Sequence, residues 1–416
     1  MNTVDTVWVL VSAALVLFMT PGLALFYGGM VRVKNVLAVM MNNYAAIGVI
    51  SVLWAVVGFS LAFGGDAGGG LIGDLSFAGL GGLHHGLPGF LHLGASPMSV
   101  AVFQMMFAVI TAALISGGTT DRIKFLSFIV LICAWLLVVY VPLAHWVFSP
   151  QGWLASRGVL DFAGGTVVEI NSGFSTLAIV LVLGRRRGWP NEGMAPHSVP
   201  LSLLGVGILW FGWFGFNAGS ALGMNDVAVS AFVNTQLAAA AGLVSWIVFE
   251  RVRESFPTTL GAASGAVAGM VAITPCAGFV TPMGAVAIGL VAGLACALAV
   301  RVKFRLRYDD SLDVLGVHGV GGLVGMVLLG FFATRSINPT GADGVFAGGG
   351  FHLLGLQLLA AVVTAAFCFG ATWVLAKAVD LTLGLRVTPE DEFTGLDLTQ
   401  HAESAYSLGG AGRISN

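Results

Sequence analysis

Two ionisable side chains lie inside hydrophobic, glycine-rich stretches of this chain. Glu169 belongs to the run DFAGGTVVEI at 161–170, and His318 belongs to the run DVLGVHGVGG at 313–322. An uncompensated charge at bilayer depth costs roughly 2.5 to 3.5 kcal/mol on insertion scales, so such residues usually face a cavity and mark the path of a solute or a proton. These two residues are therefore the leading candidates for function.

The composition is that of an integral membrane protein. Hydrophobic residues make up 57% of the 416 positions and charged residues only 9%, which leaves too little polar surface to keep a soluble globule dispersed. An apolar stretch of about 18 to 26 residues is long enough to cross a ~30 Å hydrocarbon core as a helix. Eleven such stretches lie at 6–30, 38–63, 98–117, 125–148, 162–184, 198–220, 227–250, 258–275, 282–300, 312–333 and 352–378. We therefore predict an all-α fold with eleven transmembrane helices.

The basic residues give the orientation, because Lys and Arg near helix ends are retained on the cytoplasmic side. If the N-terminus is outside, only Arg157 and Arg335 of the 18 basic residues fall in outer loops. This partition predicts an N-out, C-in topology. No Lys or Arg precedes the first apolar run, so we expect that run to be a retained helix and not a secretory signal.

The first ten predicted helices form two related halves of five. The fifth and the tenth each begin with an Asp and a glycine-rich stretch that holds the buried ionisable group. Because five spans is an odd number, the halves must insert with opposite orientation, which predicts an inverted repeat with its axis in the membrane plane. Glu169 and His318 should then meet near the bilayer midplane.

The remaining segments carry weaker signals. The outer loop at 64–97 contains His84, His85 and His92, but no thiol or well-placed carboxylate completes a metal site, and a surface loop is favoured. We expect no metal, no nucleic acid and no other cofactor, and no GxxxxGK[ST] motif indicates nucleotide hydrolysis. Residues 1–378 are predicted to form the membrane domain, and 379–416 a polar inner tail that is too short to fold alone.

Several long motifs together resemble one family, the ammonium transporter, methylammonium permease and Rhesus protein superfamily. They are MTPGLALFYGG at 19–29, FQMMFA at 103–108, DFAGGTVVEIN at 161–171, WFGWFGFNAGS at 210–220, DVLGVHGVGGLVG at 313–325 and GLDLTQHAESAY at 395–406. Their shared order along nearly the whole chain makes the resemblance specific. It implies a homotrimer with one pore per subunit, an outer recruitment site, a phenylalanine gate and a narrow apolar channel.

The resemblance assigns roles to individual aromatic and hydroxyl residues. Phe107 and Phe216 match the two gate rings, whose faces attract a small cation by about 0.5 to 2 kcal/mol. Phe103 and Ser220 match the recruitment site. Phe148 aligns with that site's tryptophan, with Trp146 and Trp153 as alternatives nearby in HWVFSPQGW. A phenylalanine there presents a weaker π-face than an indole, which predicts a lower recruitment affinity.

Five further residues match positions that support the pore. Trp213 and Asn217 match residues of the pore wall, and Thr274 matches a residue near the entrance. For these three residues a structural role and direct contact with the ligand are both open alternatives. Asp161 matches a residue that holds the outer site together, and an Asp at a helix N-terminus accepts backbone N–H groups. We expect Asp313 to cap the tenth helix in the same way.

The main departure from the family pattern is Glu169. His318 matches one member of the family's histidine pair, but a glutamate stands where the other histidine is expected, as in some fungal permeases. An ionised glutamate adds about one negative charge to the pair. Burial and a protonated imidazole shift its pKa in opposite directions, so the two groups titrate jointly.

The predicted function is transport of ammonium or ammonia, with methylammonium as an analogue, by a non-enzymatic multi-pass protein of the cell inner membrane. One alternative is an ammonium sensor with little transport, although such sensors usually carry a signalling domain for which residues 379–416 have no room. A second alternative is a Rhesus-like neutral gas channel. The tail resembles the family's regulatory region, which in prokaryotes can receive a PII-type signalling protein.

Overall fold

Long apolar helices build the protein because their backbone groups must bond internally where water is absent. The computed structural model describes residues 2–90 and 93–406. Eleven of its helices form the bundle: α1 Thr3–Met30, α2 Val33–Phe63, α3 Pro97–Thr119, α4 Phe125–Phe148, α5 Gly165–Leu183, α6 Val199–Gly219, α7 Asp226–Glu254, α8 Thr259–Ile273, α9 Pro282–Leu306, α10 Leu315–Phe332 and α11 His352–Thr382. Two short helices of the tail follow, α12 Pro389–Thr394 and α13 Leu396–His401.

Ten of the eleven bundle helices in the described chain are long and apolar enough to cross a bilayer. The exception is α8, the predicted span 258–275, which has 15 helical residues and so rises roughly 22 Å at 1.5 Å per residue. A series of turns after Ile273 carries the chain onward to Val280. The all-α membrane class is confirmed, and the count of eleven spans and their orientation stay predictions.

Buried ion pairs tie together the loops at one end of the bundle, which we call the inner end because most basic residues lie there. Arg186 donates to Asp309 Oδ1 from Nη2 at 2.8 Å. Arg122 donates to the backbone oxygen of Asp309 at 2.6 Å. Although burial opposes ionisation, the Arg186 and Arg122 guanidiniums hold the pKa of Asp309 below its usual range. The loops after α3, α5 and α9 are therefore fixed to one another.

The tail folds back onto the inner end. Asp397 Oδ1 accepts a hydrogen bond from Ala38 N at 2.8 Å, near the start of α2. Leu396 N donates to Asn35 Oδ1 at 2.8 Å, and Arg187 N donates to Glu392 Oε1 at 2.7 Å. The last bundle helix continues to Thr382, four residues beyond the boundary expected at 378.

Helices α5 and α10 cross in close contact, which is what brings the two candidate residues together. Each begins with a wide π-helical turn, Gly165–Ile170 and Leu315–Gly319, and continues as an α-helix of 13 residues. A Cβ on Gly173 would lie against the backbone of Gly319, and a Cβ on Gly322 would lie 2.9 Å from both Glu169 Cβ and Gly165 O. Only glycine permits this approach.

We expect G173A to lower the thermal stability of the purified protein, because the new methyl group forces α5 away from the backbone of α10. Overpacking of this kind typically costs about 1 to 3 kcal/mol. The matched control is G48A on α2, where a Cβ meets nothing within 4 Å. Fluorescence-detected size-exclusion chromatography of heated samples measures both variants. Equal melting curves for the two would show that the crossing tolerates a side chain.

Candidate functional site

Glu169 and His318 lie side by side in the interior. Glu169 Oε2 is 2.8 Å from His318 Nδ1, and the two residues are 1% and 4% exposed. One residue comes from the π-helical turn of α5 and the other from that of α10. The carboxyl and the imidazole therefore share one hydrogen bond, which is the geometry needed to exchange a single proton.

A partly buried carboxylate fixes the start of α5. Asp161 Oδ1 accepts from the backbone N–H groups of Gly164 and Gly165 at 2.8 and 2.7 Å. Asp161 Oδ2 accepts from Thr166 N at 2.8 Å and from the Thr166 hydroxyl at 2.5 Å. Burial raises the pKa of Asp161, while these donors act in the opposite direction. The carboxylate is thus fully engaged in holding the helix start.

On α10 the capping residue is Asp310, and the expectation for Asp313 was wrong. Asp310 Oδ2 accepts from Leu315 N at 2.8 Å, whereas Asp313 Oδ1 forms an ion pair of 2.6 Å with Lys303. The register explains the difference. Asp161 lies eight positions before Glu169, and Asp310 lies eight positions before His318. The two halves therefore present the same cap at the same distance from the pair.

A stacked aromatic pair lies on the outer side of the Glu169 and His318 contact. The rings of Phe107 and Phe216 have centroids 4.1 Å apart and planes 16° from parallel. Both residues are almost completely buried. Phe216 also lines the cavity that contains Glu169 and His318. Of the two residues predicted as a gate, Phe216 therefore lines that cavity and Phe107 stacks on Phe216.

Beyond this pair a vestibule of about 500 Å³ opens at the outer end of the bundle. Phe148, Ser220 and Asp161 are among the residues that line it. Ser220 donates its hydroxyl hydrogen to Phe216 O at 2.9 Å, which leaves the hydroxyl oxygen able to accept. Trp146 instead donates to Leu71 O and packs against Trp153, so Phe148, and neither tryptophan, is the aromatic residue of HWVFSPQGW that lines this wall.

Phe103 is placed differently from the expectation. It is 0% exposed and packs edge to face on Phe107 at 4.8 Å, and it is not among the described residues that line the vestibule. Its neighbour Gln104 lines the vestibule instead, and Gln104 Oε1 has no hydrogen-bond partner among the described residues. Sequence reasoning missed Gln104, although it belongs to the FQMMFA motif.

The cavity around the pair is narrow and apolar. It holds about 10 Å³, near the minimum for one water molecule, and its wall is mainly aliphatic and aromatic. Trp213 lines it and donates from Nε1 to Thr274 Oγ1 at 3.0 Å. Asn217 donates from Nδ2 to Thr235 Oγ1 at 2.9 Å, which ties α6 to α7. Trp213 thus contacts the cavity, while Thr274 and Asn217 brace the helices that form it.

A second small cavity, of about 50 Å³, continues from His318 towards the inner end. His318 lines both cavities, so the pair separates them. Tyr27, Trp246 and Asp313 line this inner cavity, and sequence reasoning assigned none of them to it. The described residues therefore form a series from the outer vestibule through the aromatic pair and the Glu169 and His318 pair to the inner end. Of the three outer-loop histidines, His92 lies outside the described residues.

Comparison with known proteins gives a consistent set of relatives. The model of the Ammonium Transporter Family matches residues 7–406. A protein of Mycobacterium bovis named ammonium transporter is 48% identical over 97% of this chain and 90% of its own length. Ammonium transporter Amt1 of Archaeoglobus fulgidus is 44% identical over 98% of this chain and 100% of its own length.

Solved structures share the fold. The crystal structure of Saccharomyces cerevisiae Mep2 is similar at a TM-score of 0.87 with 36% identity, over 94% of this chain and 88% of that one. A structure titled Sensor Amt Protein is similar at a TM-score of 0.88 with 32% identity, over 96% of this chain and 98% of that one. The fold is therefore common to Mep2 and to a protein described as a sensor.

We expect D161A to destabilise the protein, because it leaves three backbone N–H groups and one hydroxyl without their acceptor. Each buried polar group left unsatisfied costs about 1 to 3 kcal/mol. D226A is the matched control, since Asp226 is also at a helix start but is exposed. Melting curves of both purified variants test this. A D161A curve no lower than that of D226A would rule out the capping role.

Proposed function

Because the chain belongs to the ammonium transporter family, we propose that its transport of ammonium runs through the cavities on either side of the Glu169 and His318 pair. The observation that carries this proposal is the 2.8 Å contact of these two groups within an apolar interior. A buried ionisable pair is costly in a membrane and is retained where a solute or a proton passes. The same contact explains why the two halves of the chain meet here.

Recruitment begins in the outer vestibule. The Phe148 ring and the Ser220 hydroxyl both face this space, and Gln104 adds a carbonyl oxygen without a partner among the described residues. An ammonium ion is attracted to aromatic faces and donates N–H groups to oxygen acceptors. Phe103 supports this wall from behind through its edge contact with Phe107. The vestibule therefore selects a small cation that carries hydrogen-bond donors.

Passage beyond Phe107 and Phe216 favours the neutral molecule. The cavity there holds about 10 Å³ and its wall is mainly apolar, so a cation entering it loses its hydration. Desolvating an isolated charge costs far more than desolvating a neutral polar group. Ammonia therefore crosses more readily than ammonium, and the proton that ammonium gives up needs an acceptor.

The Glu169 and His318 pair supplies that acceptor. The pair is neutral overall when Glu169 is protonated and His318 is neutral, and also when Glu169 is ionised and His318 is protonated. It has a net charge of minus one when Glu169 is ionised and His318 is neutral, and in that state it can accept the proton. A pair of neutral imidazoles holds no such negative charge. Glu169 thus gives this conduit a carboxyl group that a double-histidine conduit lacks.

We also propose that the protein is a homotrimer of the cell inner membrane. Gln236 lies exposed in the middle of α7, where its Oε1 accepts from Trp210 Nε1 of α6 at 3.1 Å. A polar side chain facing lipid at this depth is unfavourable, whereas a neighbouring subunit would cover it. The face formed by α6 and α7 is therefore our candidate for the subunit contact.

The tail, residues 379–416, is proposed as a regulatory region on the cytoplasmic side, with the N-terminus outside. Its contacts with the start of α2 and with the loop after α5 support this role, since they connect the tail to the first half of the bundle and to the link between the two halves. A PII-type protein that binds the inner end would meet the tail and these loops together. Such binding would change how the two halves are held.

We expect E169H to change the pH dependence of ammonium-driven current, because it removes the carboxyl from the pair. Purified protein in liposomes receives an ammonium pulse at a series of pH values, and charge movement is recorded on a supported membrane. E169Q, which keeps the size but cannot ionise, is expected to lose most of the current. Superimposable pH profiles for wild type and E169H would contradict the role of Glu169.

The same recording distinguishes the competing functions. Electrogenic transport gives a sustained charge movement that scales with vesicle loading. A neutral gas channel gives a lumenal pH change without charge movement, and a sensor gives neither beyond a binding signal. A wild-type protein that produces no flux of any kind would overturn the proposed transport path.

Native mass spectrometry in detergent tests the assembly. We expect a mass of three copies of the 42.9 kDa chain. Addition of a purified PII-type protein should give a heavier complex with the full chain, and a chain ending at 382 should not form it. A monomer or dimer would contradict the trimer, and equal binding by the two chains would contradict the role of the tail.

A further inference from the structure

Lys303 places its ammonium group inside the protein, close to the inner cavity. The residue is on the last turns of α9 and is only 7% exposed. Its Nζ donates to the backbone oxygen of Asp310 at 3.0 Å and lies 2.6 Å from Asp313 Oδ1. A lysine near the end of a membrane helix usually extends its amine into water. Here the amine turns inward, to two oxygen acceptors.

Asp313 lines two neighbouring cavities. It lines the cavity of about 50 Å³ that begins at His318, and it also lines a larger cleft of about 550 Å³ at the inner end. Lys303 lines the larger cleft but is not among the described residues of the smaller cavity. A solute that leaves His318 towards the inner end therefore reaches the Asp313 carboxylate before it reaches the amine of Lys303.

Charged side chains from several segments surround this position. Asp310 and Asp313 provide two carboxylates, and Lys303 provides one cation. One oxygen of Asp310 caps α10, and the other has no hydrogen-bond partner among the described residues. Burial raises the pKa of Asp310 to about 6, with the Asp313 carboxylate adding to the effect. Arg186 and Asp309 also act electrostatically on Asp313, so the feature that a second cation meets here is the Asp313 carboxylate at the wall of the cavity.

The lysine amine and the transported ion have the same chemistry. Both are small ammonium groups with a single positive charge and several N–H donors. A site that receives Nζ at hydrogen-bond distances from a carboxylate and a carbonyl therefore also fits an ammonium ion. In the structure the amine of Lys303 occupies this site, and this amine is part of the protein chain.

We propose that Asp313 and the backbone oxygen of Asp310 form an exit site for ammonium, and that Lys303 competes for this site with its own amine and so releases the departing ion. This inference rests on the proposed transport path and adds a step to it. A tethered group acts at an effective concentration in the millimolar range, which favours its return over retention of a free ion. The larger cleft, which Lys303 already lines, gives the displaced side chain a place to go.

The test measures inhibition by ammonium already present on the inner side. Right-side-out membrane vesicles are loaded with increasing ammonium, and the initial uptake of labelled methylammonium is recorded. K303M removes the competing amine but keeps most of the apolar stem. We expect half-inhibition of K303M at about tenfold lower lumenal ammonium than for wild type, because the exit site then has no tethered competitor.

R301M is the matched control. Arg301 is on the same helix and lines the same cleft, but its ion pair is with Glu254. We expect R301M and K303R to be inhibited like wild type, and D313N to need more lumenal ammonium. A purely structural role for Lys303 would lower expression or maximal uptake without moving the inhibition curve.

The outcomes separate the two proposals. Wild-type vesicles without uptake would overturn the transport path and this inference with it. Uptake by wild type together with a K303M inhibition curve equal to that of R301M would overturn the exit site alone. If K303M does not accumulate in the membrane, the comparison of D313N with wild type decides, and an unchanged curve for D313N overturns the exit site.

Discussion

The contact between one carboxyl and one imidazole in a dry interior sets the requirements for much of this fold. Two ionisable groups at membrane depth are tolerated when they satisfy each other, and a 2.8 Å separation requires their helices to touch. The glycines at 173 and 322 allow that approach, and the carboxylates of Asp161 and Asp310 fix where each helix begins. The close helix packing, the helix caps and the ionisable pair therefore all lie on α5 and α10.

The inner end provides a second constraint. The loops after α3, α5 and α9 are joined by buried guanidinium and carboxylate groups, and the tail bonds to the start of α2 and to the loop after α5. Breaking such a buried pair leaves an uncompensated charge, which is far more costly than losing a surface pair. This end of the bundle is thus held rigidly around the exit, whereas the outer vestibule is an open space of about 500 Å³.

Much of this architecture follows from the sequence, because apolar length, basic loops and glycine-rich starts are local patterns. The span limits agree within a few residues for most helices, and the meeting of Glu169 with His318 follows from the odd number of spans per half. The sequence did not predict details that depend on the direction in which a side chain points. One position along a helix turns a side chain by about 100°, which is why Gln104 and not Phe103 faces the vestibule. Similarly, Asp313 was expected to cap α10, whereas Asp310, three positions earlier, accepts the backbone hydrogen bond at the helix start.

The equal spacing of cap and pore residue in the two halves has an evolutionary consequence. An inserted or deleted residue between Asp161 and Glu169, or between Asp310 and His318, would move the ionisable group relative to the cap and turn it away from its partner. We therefore expect these two intervals to tolerate exchange of side chains better than a change of length. A glutamate in place of a histidine is a change of that kind. It alters the acid and base properties of the side chain and keeps the number of residues between the cap and the pair.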